Sequence, residues 1–420
     1  MFERTALPAG PRVISARVPG ARSVSVAAYV LAGSRLETAE QVGAAHFMEH
    51  ITFKGTAAYP TTRSISEAVE GAGGSFNAAT DRESTVYWVR VPGREAARGV
   101  DVLGELIVRP TLDGEEIEGE RTVIIEEIRS YLDDPSEYCQ TLFQGALFGE
   151  GPLGREICGD EEGIRALPGT TIRDFWRVMY RPANTVVAIA GDLGHDEAVE
   201  LVANAFGSGN GVVPGFAAAP ELPAGPRVML GKRDTTQAQL CIGVPALRRD
   251  HPDSWTLAVL NAILGDGMSS RLFIELRERR SLTYDVSTFG ATYADCGTFG
   301  VHAGFDPDQA PALVAAILEQ LERVVHEPVS AVELDRARAY TRGRLELRME
   351  ETGAVASWLG TGESLLPRIL TVDEVIERLD AVTVEDMLRV ARTYARPDLA
   401  RLAVLGPFRS RLRFERMLNP

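Results

Sequence analysis

A chain of 420 residues, 45% apolar and 25% charged, has an ordinary globular composition and is too long for one compact core, so two or more domains are expected. Its 59 acidic and 44 basic residues leave a net charge of −15, which argues against nucleic acid and suits a basic peptide as partner. No apolar run approaches the roughly 18 residues of a membrane span, and Glu3, Arg4 and Pro8 interrupt the start of the chain. No membrane association and a cytoplasmic location are therefore expected. Cys139, Cys158, Cys241 and Cys296 are scattered without a CxxC pair, as structural thiols in a reducing compartment would be.

Along the chain, Val24–Val30 alternates like a half-buried strand, and Gln41–Phe53 reads as a helix through Ala44, Ala45, Phe47 and Met48. Gly73–Thr80 reads as a turn leading into the strand-like Ser84–Val89. Glu115–Leu132 is an acidic helix whose Ile117, Ile124, Ile125, Ile128 and Leu132 form one stripe. Thr171–Val178 reads as a Thr-capped amphipathic helix, ended by a proline, Pro182, and followed by a buried strand, Thr185–Gly191. The stretch 209–226 has the Gly, Pro and Ala content of a linker. Beyond it, Ala238–Val244 echoes the first strand, while Thr383–Val390, Pro397 and Leu399–Gly406 echo the helix, proline and strand. These echoes imply a duplicated α+β fold: an N-terminal domain 1–208, a linker 209–226 and a homologous C-terminal domain 227–420.

Two of the six histidines frame a glutamate in His46-Phe47-Met48-Glu49-His50. Residues four apart share a helix face, so both imidazoles can converge on one cation. Glu49 projects beside that face, where it can meet a water without being a ligand. A structural zinc site takes four protein ligands and usually recruits Cys, whereas a catalytic one takes three and leaves a position for water; no Cys lies near this helix in the sequence. The third ligand is then sought on the acidic helix, where Glu116, Glu120 and Glu127 line one flank and Glu126 points away from the core. Glu127 is the better ligand candidate, and Glu120, one heptad earlier, is placed to support a ligand.

His46–His50 followed by Phe53-Lys54-Gly55-Thr56 resembles the inverted zinc motif of the insulinase or pitrilysin family (M16) of metallopeptidases, above all the branch containing the mitochondrial processing peptidase β-subunit. The family's distal ligand lies in a pattern like Glu120-Arg121-Thr122-Val123-Ile124-Ile125-Glu126-Glu127, which gives Glu127 the same role and Glu120 the supporting one. The resemblance implies two similar α+β halves facing each other as a clamshell around an enclosed cavity. One zinc per chain is implied, because Leu260–Gly265 stands where the first half has its histidines.

Leu276-Arg277 and Leu282-Thr283-Tyr284 match the family's Arg and Tyr, which donate hydrogen bonds to the developing oxyanion; without the resemblance, Arg277 reads as a surface residue. In the family, the segment matching 73–80 is an edge strand to which substrate adds, so Phe47, Asn77 and Ala78 are expected to touch substrate. The implied activity is zinc-dependent endopeptidase action on peptides or unfolded segments, with Glu49 as general base toward zinc-activated water. A homodimer is implied. The alternatives are the active subunit of a heterodimeric processing peptidase and a non-catalytic scaffold of the kind some relatives became.

Overall fold

Eleven strands account for two sheets in the computed structural model, which describes residues 2–209 and 215–418. Residues 210–214 of the expected linker lie outside the described residues. The first sheet holds β1 (Glu3–Ala6), β2 (Arg12–Arg17), β3 (Ser23–Val30), β4 (Ser75–Thr80), β5 (Thr85–Pro92) and β6 (Thr185–Gly191), in the order β1-β2-β6-β3-β5-β4. The second holds β7 (Val228–Lys232), β8 (Ala238–Ala246), β9 (Thr283–Thr292), β10 (Gly297–Phe305) and β11 (Arg401–Gly406), in the order β7-β11-β8-β10-β9. Leaving β1 aside, the two orders match strand for strand. In each, one pair is parallel, β2 with β6 and β7 with β11, and the remaining pairs are antiparallel.

The chain forms two compact units of interleaved segments. Unit 1 takes Met1–Arg129, Glu156–Ala217 and Leu347–Leu370; unit 2 takes Ser130–Arg155, Ala218–Glu346 and Thr371–Pro420. A single cut at 209–226 therefore misses two exchanges. The helix Thr352–Leu365, from the second half of the sequence, packs on β2, β3 and β6, and the helix Pro135–Phe148, from the first half, packs on β7, β8 and β11. Each exchange follows from burial: a sheet with apolar residues on both faces must be covered on both.

In unit 1, Ala356 and Leu359 seal Tyr29, Ala27 and Ala188. A Cβ on Gly360 would stand 2.2 Å from the Tyr29 ring, so only glycine permits this approach. In unit 2, Phe143 and Cys139 pack with Cys241, Ala403 and Leu405. Fully burying a side chain such as Phe143 contributes about 1.5–3 kcal/mol. Three of the four free cysteines, Cys139, Cys241 and Cys296, are buried in this cluster.

Cover on both faces also corrects the half-buried reading of the first strand. The helix Ala96–Val108 packs on β3 as well as Thr352–Leu365 does, and residues 24–30 are all buried. Thr383 caps its helix, accepting from the Asp386 amide. Thr171 does not, because its helix begins two residues earlier, at Gly169. Among the described residues no helix is long and apolar enough to cross a membrane.

Candidate metal centre

The helix Ala44–Thr52 is held at both ends by polar contacts from the rest of unit 1. Its start is Gly43, at φ 88°, a left-handed conformation suited to glycine; a Cβ there would also meet Ile164 Cδ1 at 2.5 Å. The buried Glu37 carboxylate accepts from the amides of Gly43 at 3.1 Å and Ala45 at 2.8 Å, placing negative charge where the helix dipole favours it. Further along, Tyr87 donates to the Met48 carbonyl at 3.4 Å and its hydroxyl meets that of Tyr180 at 3.0 Å. Phe47 and Met48 are fully buried, so the opposite side of this short helix carries the histidines.

His46 and His50 stack edge to face with ring centroids 4.6 Å apart. The helix Gly114–Asp133 brings Glu127 against both: Oε1 lies 3.7 Å from His46 Nε2 and Oε2 lies 3.1 Å from His50 Nε2. One donor atom from each of the three residues falls within a set whose members lie no more than 4.8 Å apart. Ligands on a tetrahedral zinc stand about 3.3 Å apart, so two nitrogens and one carboxylate oxygen at these spacings fit that ion in number, chemistry and size. Glu120 takes His50 Nδ1 at 2.9 Å and also pairs with Lys54, the arrangement that fixes the tautomer of a ligating imidazole. His46 Nδ1 is buried and has no hydrogen-bond partner among the described residues. Glu126 turns instead to Arg129, at 2.7 Å.

The same contacts set the protonation states. Burial, reinforced by neighbouring His50, pulls His46 down to about 4, leaving a neutral imidazole as ligation requires. Burial also disfavours charge on His50, but hydrogen bonds to Glu120 and Glu127 prevail and push it up to about 9. The pocket thus stabilises a positive charge between the two carboxylates, where a cation would serve in place of the proton. The hydrogen bond from His50 lowers Glu127. Glu49, outside this donor set, is raised by burial, against a 2.6 Å hydrogen bond that Thr80 Oγ1 donates to its Oε2.

The remaining candidates divide. Ser75–Thr80 is not a turn but the edge strand β4, paired on one side only with β5. Asn77 is exposed on it and Ala78 is buried; the Asn77 Oδ1 accepts from the Ala78 amide at 2.9 Å. Phe47, expected to touch substrate, is 0% exposed and offers a ligand no surface, because its ring belongs to the core. Arg277 and Tyr284 meet in unit 2, the guanidinium lying 4.4 Å from the centre of the Tyr284 ring and 4.8 Å from that of Phe273, in cation–π stacking. Distance along the chain misled on cysteine: Cys158 Sγ comes 3.9 Å from His46 Nε2. Sequence reasoning also missed Glu37, Thr80 and Lys54. Of these, only Lys54 carried a signal, standing four residues after His50.

Comparison with known proteins sets this geometry in a family. Residues 12–161 match the family model described as insulinase, peptidase family M16, and residues 167–340 match the one described as the peptidase M16 inactive domain. An uncharacterized zinc protease of Streptomyces coelicolor is 36% identical over 97% of this chain and 90% of its own length. The chain belongs to the M16 family. A second relative, an uncharacterized zinc protease of Bacillus subtilis, is 34% identical over 97% of this chain and 98% of its own.

Solved structures share the fold. A protease from Helicobacter pylori superposes with a TM-score of 0.92 at 24% identity, covering 97% of this chain and 99% of that one. A chain of complex III2 from Candida albicans gives 0.86 at 18% identity, covering 99% of each. The M16 model described as inactive begins at residue 167, well past the histidine pair.

Proposed function

We propose that this protein is a zinc-dependent endopeptidase that cleaves peptides or unfolded segments held as an extended strand. The observation that carries the reading is the convergence of His46, His50 and Glu127 within 4.8 Å beside Glu49, a carboxylate outside the donor set. The names of the M16 relatives support it. His46 and His50 through Nε2 and Glu127 through its carboxylate would hold one zinc per chain, with Glu120 orienting His50. Zinc, when bound, supplies Lewis acidity that makes water easier to deprotonate and a carbonyl easier to attack.

Glu49 accepts the water proton on the oxygen that Thr80 leaves free and returns it to the departing amine nitrogen. Its raised proton affinity suits both transfers. The outer rim of β4 pairs with the main chain of the substrate, so recognition makes few demands on side chains. Arg277 and Tyr284 donate hydrogen bonds to the oxyanion. The protein works as a homodimer without a different partner subunit, and its acidity suits basic peptides.

The test is to purify the chain alone, measure zinc per chain and molecular mass in solution, and map the cleavage products of a mixed peptide pool with and without a chelator. Internal cleavage that stops with zinc removal and returns with zinc is expected. A folded, zinc-loaded protein that cleaves nothing would leave the scaffold reading in its place.

A further inference from the structure

Strand β4 has the metal centre at one end and a cationic cavity at the other. Its last residue, Thr80, is bonded to Glu49. Its first, Ser75, lines a cavity of about 720 Å³ that Arg22, Arg90 and Arg94 also line. The sheet register gathers these arginines. Arg90 sits directly opposite Ser75, Arg22 immediately precedes β3, and Arg94 lies just past the end of β5.

These three guanidinium groups gather at one end of β4 with little acidic pairing, on a chain whose net charge is −15. Among the described residues Arg90 donates only to Ser23 Oγ, at 3.3 Å, and Arg94 has a single long ion pair, with Glu95 at 3.6 Å. Arg22 has no side-chain partner among the described residues. Glu350 and Glu351 also line the cavity, and among the described residues they pair with none of the three.

We propose that this cavity takes a carboxylate of the substrate, so that the favoured peptides carry an acidic group about five residues from the bond that is cut. The inference rests on the endopeptidase reading and on strand addition to β4. A strand rises about 3.3 Å per residue, so the run from Thr80 to Ser75 spans about 17 Å, and a peptide paired with β4 advances along it residue for residue. The strand is a ruler with the zinc ligands near one end and the arginines at the other. Guanidinium forks bind carboxylates in two-pronged fashion. At an exposed site each contributes little, and the three together amount to a preference of about tenfold that weakens as salt rises.

The experiment compares kcat/KM for neutral peptides sharing one cleavage site, in which a single Glu or Gln is moved along the sequence on either side. A parallel set ends at each position as a free acid or an amide, which separates a side-chain carboxylate from a chain terminus. The expected result is a Glu-over-Gln or acid-over-amide ratio that peaks at about tenfold, about five residues from the cut on one side. That ratio should fall to one in an Arg22→Ala, Arg90→Ala, Arg94→Ala protein and drop partway in Arg22→Gln, which removes an exposed side chain with no partner. Because the ratio is taken within each protein, a general loss of activity does not enter it. A flat profile in the unaltered protein, or a peak that survives the triple substitution, overturns the inference and leaves the endopeptidase reading standing. Failure to cleave any peptide overturns that reading itself.

Discussion

The two units share a strand order and an exchanged helix, but they differ in the helix that comes after the strand at the middle of each sheet. After β3 comes Ala44–Thr52, whose buried residues include His46. After β8 comes Ser254–Leu264, which buries Thr256, Leu257, Val259, Leu260, Ile263 and Leu264. The second helix is sealed almost wholly by apolar contact, whereas the first must satisfy polar groups taken out of water, and Glu37, Glu120 and Thr80 do so around it. The fold needs only apolar faces and their covers. The histidine cluster is an addition that the fold tolerates because neighbouring carboxylates and hydroxyls stabilise it.

The sharpest way to break this comparison is Glu49→Gln. Turnover of a peptide substrate should fall by about 10²–10⁴-fold while zinc stays near one per chain, as measured by peptide assay and metal analysis; loss of the metal would contradict the separation of base from ligands. The covers come next. Phe143→Ala in unit 2 should cost about 3–5 kcal/mol and Leu359→Ala in unit 1 about 2–5 kcal/mol, both followed by thermal unfolding. Because a ligand stabilises the state that binds it, added zinc should offset the Leu359→Ala loss and leave the Phe143→Ala loss in place. Equal offsets would mean that the two units unfold as one cooperative unit.

A smaller effect is expected from Glu120→Gln, which should weaken zinc binding by about 10–100-fold in competition with a chelator. Glu127→Gln should weaken it further, and Glu126→Gln should leave it unchanged. The smallest is Thr80→Val. Removing a hydrogen bond of about 0.5–1.5 kcal/mol from Glu49 should slow turnover by roughly 2–12-fold with zinc affinity intact.

Much of the fold was legible because its signals are local. The apolar runs behind β3, β6, β8 and β11 each imply a strand, and the isoleucine stripe of Gly114–Asp133 fixes which way Glu120 and Glu127 point. His46, Glu49 and His50 need only the helical repeat to share a face. The exchanged helices were not legible, since an amphipathic face records that something must be covered and not which sheet it covers. Glu37 and Thr80 act through chain reversals that no periodicity encodes. Phe47 was misjudged because position in a motif says nothing of the side to which a ring turns, and Cys158 because residues 112 apart in sequence meet in the fold.

The exchange of helices also imposes a schedule on biosynthesis. The first sheet has all its strands once Gly191 is made, but its cover ends at Leu365, roughly 170 residues later. At about 5–20 residues per second, Tyr29, Ala27 and Ala188 wait roughly 10–35 s on the ribosome with one apolar face bare. That face stays open to association with other apolar surfaces until translation is nearly complete.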